Sequence, residues 1–379
     1  MRRIYWRPRG ISNNALLVIA AISLAALLVV ERFPERSSEL YLEQMLEAAQ
    51  LANESIKAIR EERVSKKITI DPIADPTDSG LIGLAMSDVT SNSGNLLAKQ
   101  TTVNPNWAAV VVRLLHEAGV KEGDTVAVGV SGSFPALNVS VYSALATLRL
   151  EAIVIASASA SQWGANHPFL LWLDMERVLF DRKLIPFRSV AASFGGAEDR
   201  AAGVSELGLA QLGRAIKRSK LPLIDPESYA ESVVERMSLY REQAGSKPIR
   251  AYVNVGGGTS SVGTRRSKYA FQPGINTRTP PRAALIDSVM ARFLDEGVPV
   301  IHFLQINRMA QRYGLPVSPQ VMPPVGAGQV FLLQHYNRSL AAFALALVIG
   351  SVFLFLRSGR IQMILGGGYK TREKFEASV

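Results

Sequence analysis

The stretch Ala127–Leu145, AVGVSGSFPALNVSVYSAL, decides how the chain is read. It has the pattern of a β-strand running into a Gly/Ser turn and then a helix. The same alternation continues on both sides. Helical spacing of apolar residues predicts helices over Asn106–Ala118, Ala136–Arg149, Leu171–Asp181, Val204–Arg218, Glu227–Ala244 and Ala283–Glu296. Between them lie short β-rich runs at Thr125–Val130, Ile153–Ala156, Phe187–Ala192, Ala251–Val255 and Val298–Phe303. Apolar strands separated by helices predict an α/β fold, a largely parallel sheet covered by helices on both faces.

In an open parallel sheet, ligands bind beyond the carboxyl ends of the strands. Three turns at such positions are rich in glycine and small hydroxyl residues: Gly129–Ser133 (GVSGS), Ser193–Gly196 (SFGG) and Gly256–Ser261 (GGGTSS). Backbone amides converging there suit an anion such as a carboxylate. The predicted ligand-binding residues are therefore Ser131, Gly132, Ser133, Gly195, Gly196, Gly257, Gly258, Thr259 and Ser260. The simpler reading of Ser131 or Ser133 is a helix N-cap.

Other chemistry fits less well. GVSGS departs from the nucleophile elbow G-x-S-x-G because Ser133 stands where glycine is required. Among the four histidines, His116 falls on a predicted helix, His302 in an apolar strand and His335 beside a second apolar run. His167 alone sits in a predicted loop, so a serine hydrolase here would pair Ser131 with His167. GGGTSS lacks the lysine of a Walker loop. No HExxH, EF-hand loop or paired histidine cluster predicts a metal, and no cofactor is expected. Asp174 and Glu176, two apart in WLDMER, cannot face one another on a helix and read as a solvated face. With no cysteine there is no disulfide, thiol catalysis or Cys-ligated zinc.

The ends of the 379-residue chain set its place. Residues 15–30 carry no charge, and with Ile11–Asn14 they make about 30 Å of helix. A second uncharged run, 339–356, spans about 27 Å. The first run ends in ERFPERSS without a small-x-small cleavage site, which predicts an uncleaved anchor rather than a signal peptide. Residues 1–14 hold four arginines and no acid, and residues 357–379 hold five bases against two acids. Both tails are therefore expected in the cytoplasm and the central region outside it. Most of the net charge of +10 lies in these tails, so the basic composition does not point to nucleic acid.

Between the spans, 31–70 holds an expected juxtamembrane helix, 71–313 the α/β domain and 314–338 a Pro/Gly-rich linker. Leu42, Met45, Ala49, Ala52, Ile56 and Ile59 form one narrow apolar seam on the first of these. That seam either packs on its own domain or pairs with a partner.

SGLIG (79–83), AKQTTVNPNWAA (98–109), GDTVAVGVSGSFPALN (123–138), SASQWGANHP (159–168) with WLDME (172–176), and VNVGGGTSSVG (253–263) form a set of stretches spread over the central region. Taken together they resemble the accessory membrane protein of poly-γ-glutamate capsule systems. The resemblance implies a two-pass cell-membrane protein that accompanies a cytoplasmic ATP-dependent amide ligase and a small polytopic membrane subunit. The implied partners are these subunits, membrane lipid, and poly-γ-glutamate or another anionic polymer, with no nucleic acid. Two functions follow as expectations: a non-catalytic assembly or export subunit that holds the polymer, or an extracytoplasmic serine amidase or transferase acting through Ser131.

Overall fold

The computed structural model describes residues 13–33, 35–38, 40–263 and 269–357. The basic tails expected at 1–14 and 357–379 fall almost wholly outside them. The chain divides into two compact units, one formed by the segments up to Ser38 and from Leu332, the other by Glu39–Phe331.

In the first unit, helix α1 (Asn13–Arg32) leads into strand β1 (Glu35–Ser38). Strand β13 (Leu332–His335) pairs with it antiparallel, Glu35 opposite His335, and runs into helix α12 (Arg338–Arg357). The two helices pack on each other. Both are long and apolar enough to cross a membrane, and both leave most of their surface exposed, unlike core helices.

The second unit begins with α2 (Leu42–Ser65). Short β2 (Thr90–Asn92), α3 (Leu96–Thr102) and α4 (Trp107–Glu117) precede β3 (Thr125–Ser131), α5 (Pro135–Thr147) and β4 (Glu151–Ser157). Three two-residue strands, β5 (Ala160–Ser161), β6 (Asn166–His167) and β7 (Leu170–Leu171), lead to α6 (Trp172–Asp181). Then come β8 (Ala191–Ser193), α7 (Glu206–Ser219), β9 (Leu223–Ile224), α8 (Tyr229–Ala244) and β10 (Ile249–Val255). The unit closes with α9 (Thr259–Val262), β11 (Gly274–Asn276), α10 (Val289–Asp295), β12 (Val300–Phe303) and α11 (Ile306–Arg312).

The main sheet has seven strands in the order β11-β12-β10-β3-β4-β8-β9, all parallel except the edge strand β11. Its pleat sorts side chains by parity. Val126, Val128 and Val130 join one buried cluster with residues of α2, α4, α5 and α6, while Ala127 and Ile153 join the other with residues of α8 and α10. Both faces are covered, as an almost wholly parallel sheet requires.

Among the parallel strands the order reverses once. From β3 the chain moves outward through β4, β8 and β9, then α8 carries it back so that β10 lies on the other side of β3. The crevice between the carboxyl ends of β3 and β10 is a topological switch point.

Several expectations are corrected. The apolar seam of α2 is occupied by its own unit: Met45, Ala49, Ala52, Ile56 and Ile59 are buried, and α2 packs on α4, α5 and α6. Arg63, also buried, donates to the carbonyls of Thr69 (2.9 Å), Gly80 (2.9 Å) and Ile82. Of the two readings of this seam, packing on its own domain is the one the structure shows. The first part of the Pro/Gly-rich segment is docked: Asn106 donates to the Pro324 carbonyl (2.9 Å) and accepts from the Gly326 amide (2.9 Å), and Ser318 bonds to Gln100 and Thr101. The strand expected over Phe187–Ala192 begins only at Ala191, because the Ser189 amide is spent on Glu176 (3.0 Å). The helix expected from Ala283 starts at Val289, where Ser288 caps it by accepting from the Ala291 amide (3.2 Å).

Asp174 and Glu176 are buried, not solvated. Asp174 accepts from the Leu171 amide (3.1 Å) and pairs with Arg218 (3.0 Å). Glu176 Oε1 accepts from Tyr142 Oη (2.7 Å), Ser189 Oγ (2.6 Å) and the Ser189 amide, while Oε2 accepts no hydrogen bond among the described residues. Burial raises the carboxyl of Glu176 above the usual range, and the hydrogen bonds from Ser189 and Tyr142 only partly offset it. A group raised in the folded state contributes stability at low pH and loses it as pH rises through its folded value. Glu176→Gln is therefore expected to gain stability relative to the native chain as pH rises from about 4, the ordinary carboxyl range, toward 8. Denaturation curves of both proteins across that range check it; a difference independent of pH would show that Glu176 does not titrate on folding.

Candidate functional site

The predicted turns meet at the carboxyl edge of the sheet. Beyond β4 and β8 the backbone ladder continues, with Ala158 N donating to Ser193 O (2.9 Å) and Ser159 N to Phe194 O (3.0 Å). Gly132 N donates to Ser157 O (3.3 Å), joining the β3 turn to the same edge. The β10 turn reaches over to the β8 turn through Thr259 Oγ1, which donates to Gly196 O (3.3 Å).

Close approach explains the glycines. A Cβ on Gly195, whose φ is +76°, would lie 2.5 Å from Ser157 Cβ. One on Gly132 would lie 3.0 Å from Ala160 Cβ and from Ser159 O. In GGGTSS the demanding position is Gly256, with φ of +100° and a Cβ site 3.2 Å from Ser131 Oγ across the switch point. Gly258 has open space around it and Gly257 is exposed.

Neither Ser131 nor Ser133 caps α5. Its N-cap is Phe134, which makes no side-chain cap, and Pro135 opens the helix without needing an amide partner. Ser131 Oγ instead accepts from the Ser133 amide (3.3 Å), and Ser133 Oγ from the Ser161 amide (3.1 Å). Ser260 is buried, its hydroxyl taken up by Ser232 Oγ (3.0 Å).

His167 lies on β6, where Phe169 N donates to its Nδ1 (3.4 Å). Burial, and then the charge of Arg63, lower its ring below the usual histidine range. No hydrogen bond joins it to Ser131 among the described residues.

Sequence patterns missed part of this edge. Asp199 and Arg236, both buried, form an ion pair (2.7 Å) in which every carboxylate lone pair is used. Oδ1 accepts from Ser193 Oγ (2.6 Å) and Arg236 Nη2 (2.9 Å), and Oδ2 from Ser232 Oγ (2.6 Å) and Arg236 Nε (2.8 Å). Burial alone would lower the Arg236 guanidinium; the charge and hydrogen bonds of Asp199, with Tyr240 and Tyr252, together raise it. The β4 turn adds Ser159, a buried hydroxyl with no hydrogen-bond partner among the described residues, 3.0 Å from the Cβ site of Gly195. SASAS at 157–161 was the available signal, since β4 lies beside β3 and ends on the same edge.

The arrangement gathers the hydroxyls of Ser131, Ser133, Ser159 and Thr259 at the sheet edge, near a buried guanidinium already neutralised by Asp199. Such a site can hold a carboxylate by hydrogen bonds rather than by net charge. No described cluster of three His, Cys, Asp or Glu residues could hold a metal ion. No family model, curated protein or solved structure matches the chain.

Proposed function

We propose that this chain is a membrane-anchored accessory subunit of poly-γ-glutamate synthesis or export, whose α/β unit binds the carboxylate-bearing polymer at the β3/β10 switch point. The observation that carries the reading is the meeting of Ser131 and Gly256 at that point, with the Gly195–Gly196 turn tied in through Thr259. The sequence resemblance supplies the polymer, and the two apolar helices supply the anchor. The antiparallel pairing of β1 and β13 supports spans of opposite direction, and the basic tails favour a cytoplasmic side for both termini. The ligase and the polytopic membrane subunit are the proposed protein partners. The amidase reading through Ser131 and His167 finds no support in a serine and histidine that do not bond.

The test uses the full chain in detergent with γ-linked glutamate oligomers. Gly256→Val forces a side chain toward Ser131 at a strained φ and is expected to weaken binding at least about ten-fold, roughly 1.4 kcal/mol. Ser131→Ala removes one neutral hydrogen bond and should cost about five-fold. Absence of binding by the native chain, or unchanged affinity in Gly256→Val, rejects the site. In cells or spheroplasts, Ser65→Cys should react with an impermeant thiol reagent and Ser378→Cys should not; the converse inverts the topology.

A further inference from the structure

Lys99, from AKQTT, and Ser161, from SASQ, are 62 residues apart in sequence and in hydrogen-bond contact in space. Lys99 projects from α3 and is 2 % exposed. Its Nζ lies 2.8 Å from Ser161 Oγ, bonds to the carbonyl of Ser133, and sits 4.0 Å from the centroid of the Phe134 ring. Ser161 is 8 % exposed, and two interactions fix its position: β5 pairs with β2, placing it opposite Asn92, and its amide donates to Ser133 Oγ (3.1 Å). The pair therefore lies directly beside the GVSGS turn of the proposed polymer site.

We infer that Ser161 and Lys99 are a nucleophile and its general base, acting on an amide carbonyl in a carboxylate-bearing chain. A serine within hydrogen-bond reach of a desolvated lysine amine, itself oriented by a third group, is the geometry of an activated nucleophile. Here the third group is the Ser133 carbonyl, which accepts from Nζ and holds it within hydrogen-bond reach of Ser161 Oγ; in its neutral form Lys99 then takes up the serine proton. In the first half-reaction Lys99 takes the Ser161 proton and Oγ bonds to the carbonyl carbon. The C–N bond then breaks, the departing nitrogen receives the proton from Lys99, and an ester remains on Ser161. In the second half, water gives a proton to Lys99 and its oxygen to the ester carbon; the C–Oγ bond breaks and Lys99 returns the proton to Oγ, releasing a carboxylic acid and restoring the serine. One amide bond and one water are consumed, and no redox partner is needed. The inference rests on the polymer-binding reading for its substrate class alone.

The experiment uses the full chain in detergent and an alkyl fluorophosphonate, a small probe that needs no polymer. Intact mass and peptide mapping are expected to find one adduct, on Ser161, absent from Ser161→Ala. Lys99→Met should slow labelling roughly 100-fold or more, the contribution of a general base. Lys99→Arg keeps donors to Ser133 and Ser161 but cannot become a neutral base, so it too should label slowly while melting near the native temperature. The native labelling rate should rise with pH through one ionisation that Lys99→Arg lacks. No adduct on the native chain, an adduct on Ser131 instead, or native-rate labelling of Lys99→Arg overturns the pair and leaves a structural clamp. Failure of oligomer binding with Ser161 labelling intact would reject the polymer reading and keep the nucleophile.

Discussion

Asp199→Ala is expected to lower the unfolding free energy by about 3–5 kcal/mol, the cost of leaving a buried charge without its partner. Arg236 is 3 % exposed and directs Nε and Nη2 at the lost carboxylate, and Ser193 and Ser232 lose their acceptor in the same step. The pair itself contributes far less than its breakage costs, because two charges were desolvated to make it. The double variant Asp199→Ala/Arg236→Met should therefore recover most of the loss. Chemical denaturation of the three proteins and the Arg236→Met single variant closes the cycle. A double variant as unstable as the sum of the singles would show that the two residues act separately. Asp199 also sits at φ of +63°, between Glu198 at +55° and Ala201 at +52°, so the ion pair holds a run of backbone that L residues adopt rarely. The β8 turn should become more susceptible to proteolysis in Asp199→Ala than in Gly203→Ala, where a Cβ meets no neighbour although φ is +89°.

The local alternation of strand and helix was legible because each element carries its own period. Val126, Val128 and Val130 announce β3 whatever surrounds them, and α4, α5 and α6 begin within a residue of where their apolar spacing places them. Strand order is not a local property. Nothing in Ile249–Val255 says that it returns to lie beside Thr125–Ser131, so the three Gly/Ser turns could be assigned to one edge but the switch point between two of them could not. The edge strand β11 was missed for a related reason: three residues, Gly274–Asn276, are too few to show a period. Charged residues misled where burial depended on distant partners. Asp174 pairs with Arg218, and Glu176 Oε1 accepts from Tyr142 and Ser189, pairings that helix spacing alone cannot reveal. Lys99 and Ser161 belong to the same class, since only the packed α3 and β5 bring them together.

Gly83→Ala is expected to destabilise the central unit by about 3 kcal/mol, the upper part of the range for overpacking, and to abolish both oligomer binding and Ser161 labelling. A Cβ at this position would lie 1.9 Å from Gly164 O and 2.2 Å from Asn166 Oδ1, so backbone has to move. The two segments are interlocked: Gly83 N donates to Trp163 O (3.2 Å), Trp163 N to Leu84 O (2.8 Å), and Leu84 N to Asn166 Oδ1 (2.8 Å). Asn166 returns a bond from Nδ2 to Leu84 O (2.8 Å), so its amide cannot swing away without losing both. Displacing Gly164 carries further, because its own Cβ site is 2.6 Å from Gly132 O and the next amide, Ala165 N, donates to that oxygen (2.7 Å). The disturbance thus passes from SGLIG through WGANH to GVSGS, three of the stretches that carry the family resemblance. Gly258→Ala is the control for stability at an open glycine of the same unit: φ there is −60° and a Cβ meets nothing within 4 Å. It should change stability by no more than about 0.5 kcal/mol, and in the stabilising direction if the stiffer unfolded chain dominates. Thermal melts and the two functional readouts on both variants decide the matter; equal behaviour of Gly83→Ala and Gly258→Ala would mean that the contact between SGLIG and the 163–166 loop does not position the site.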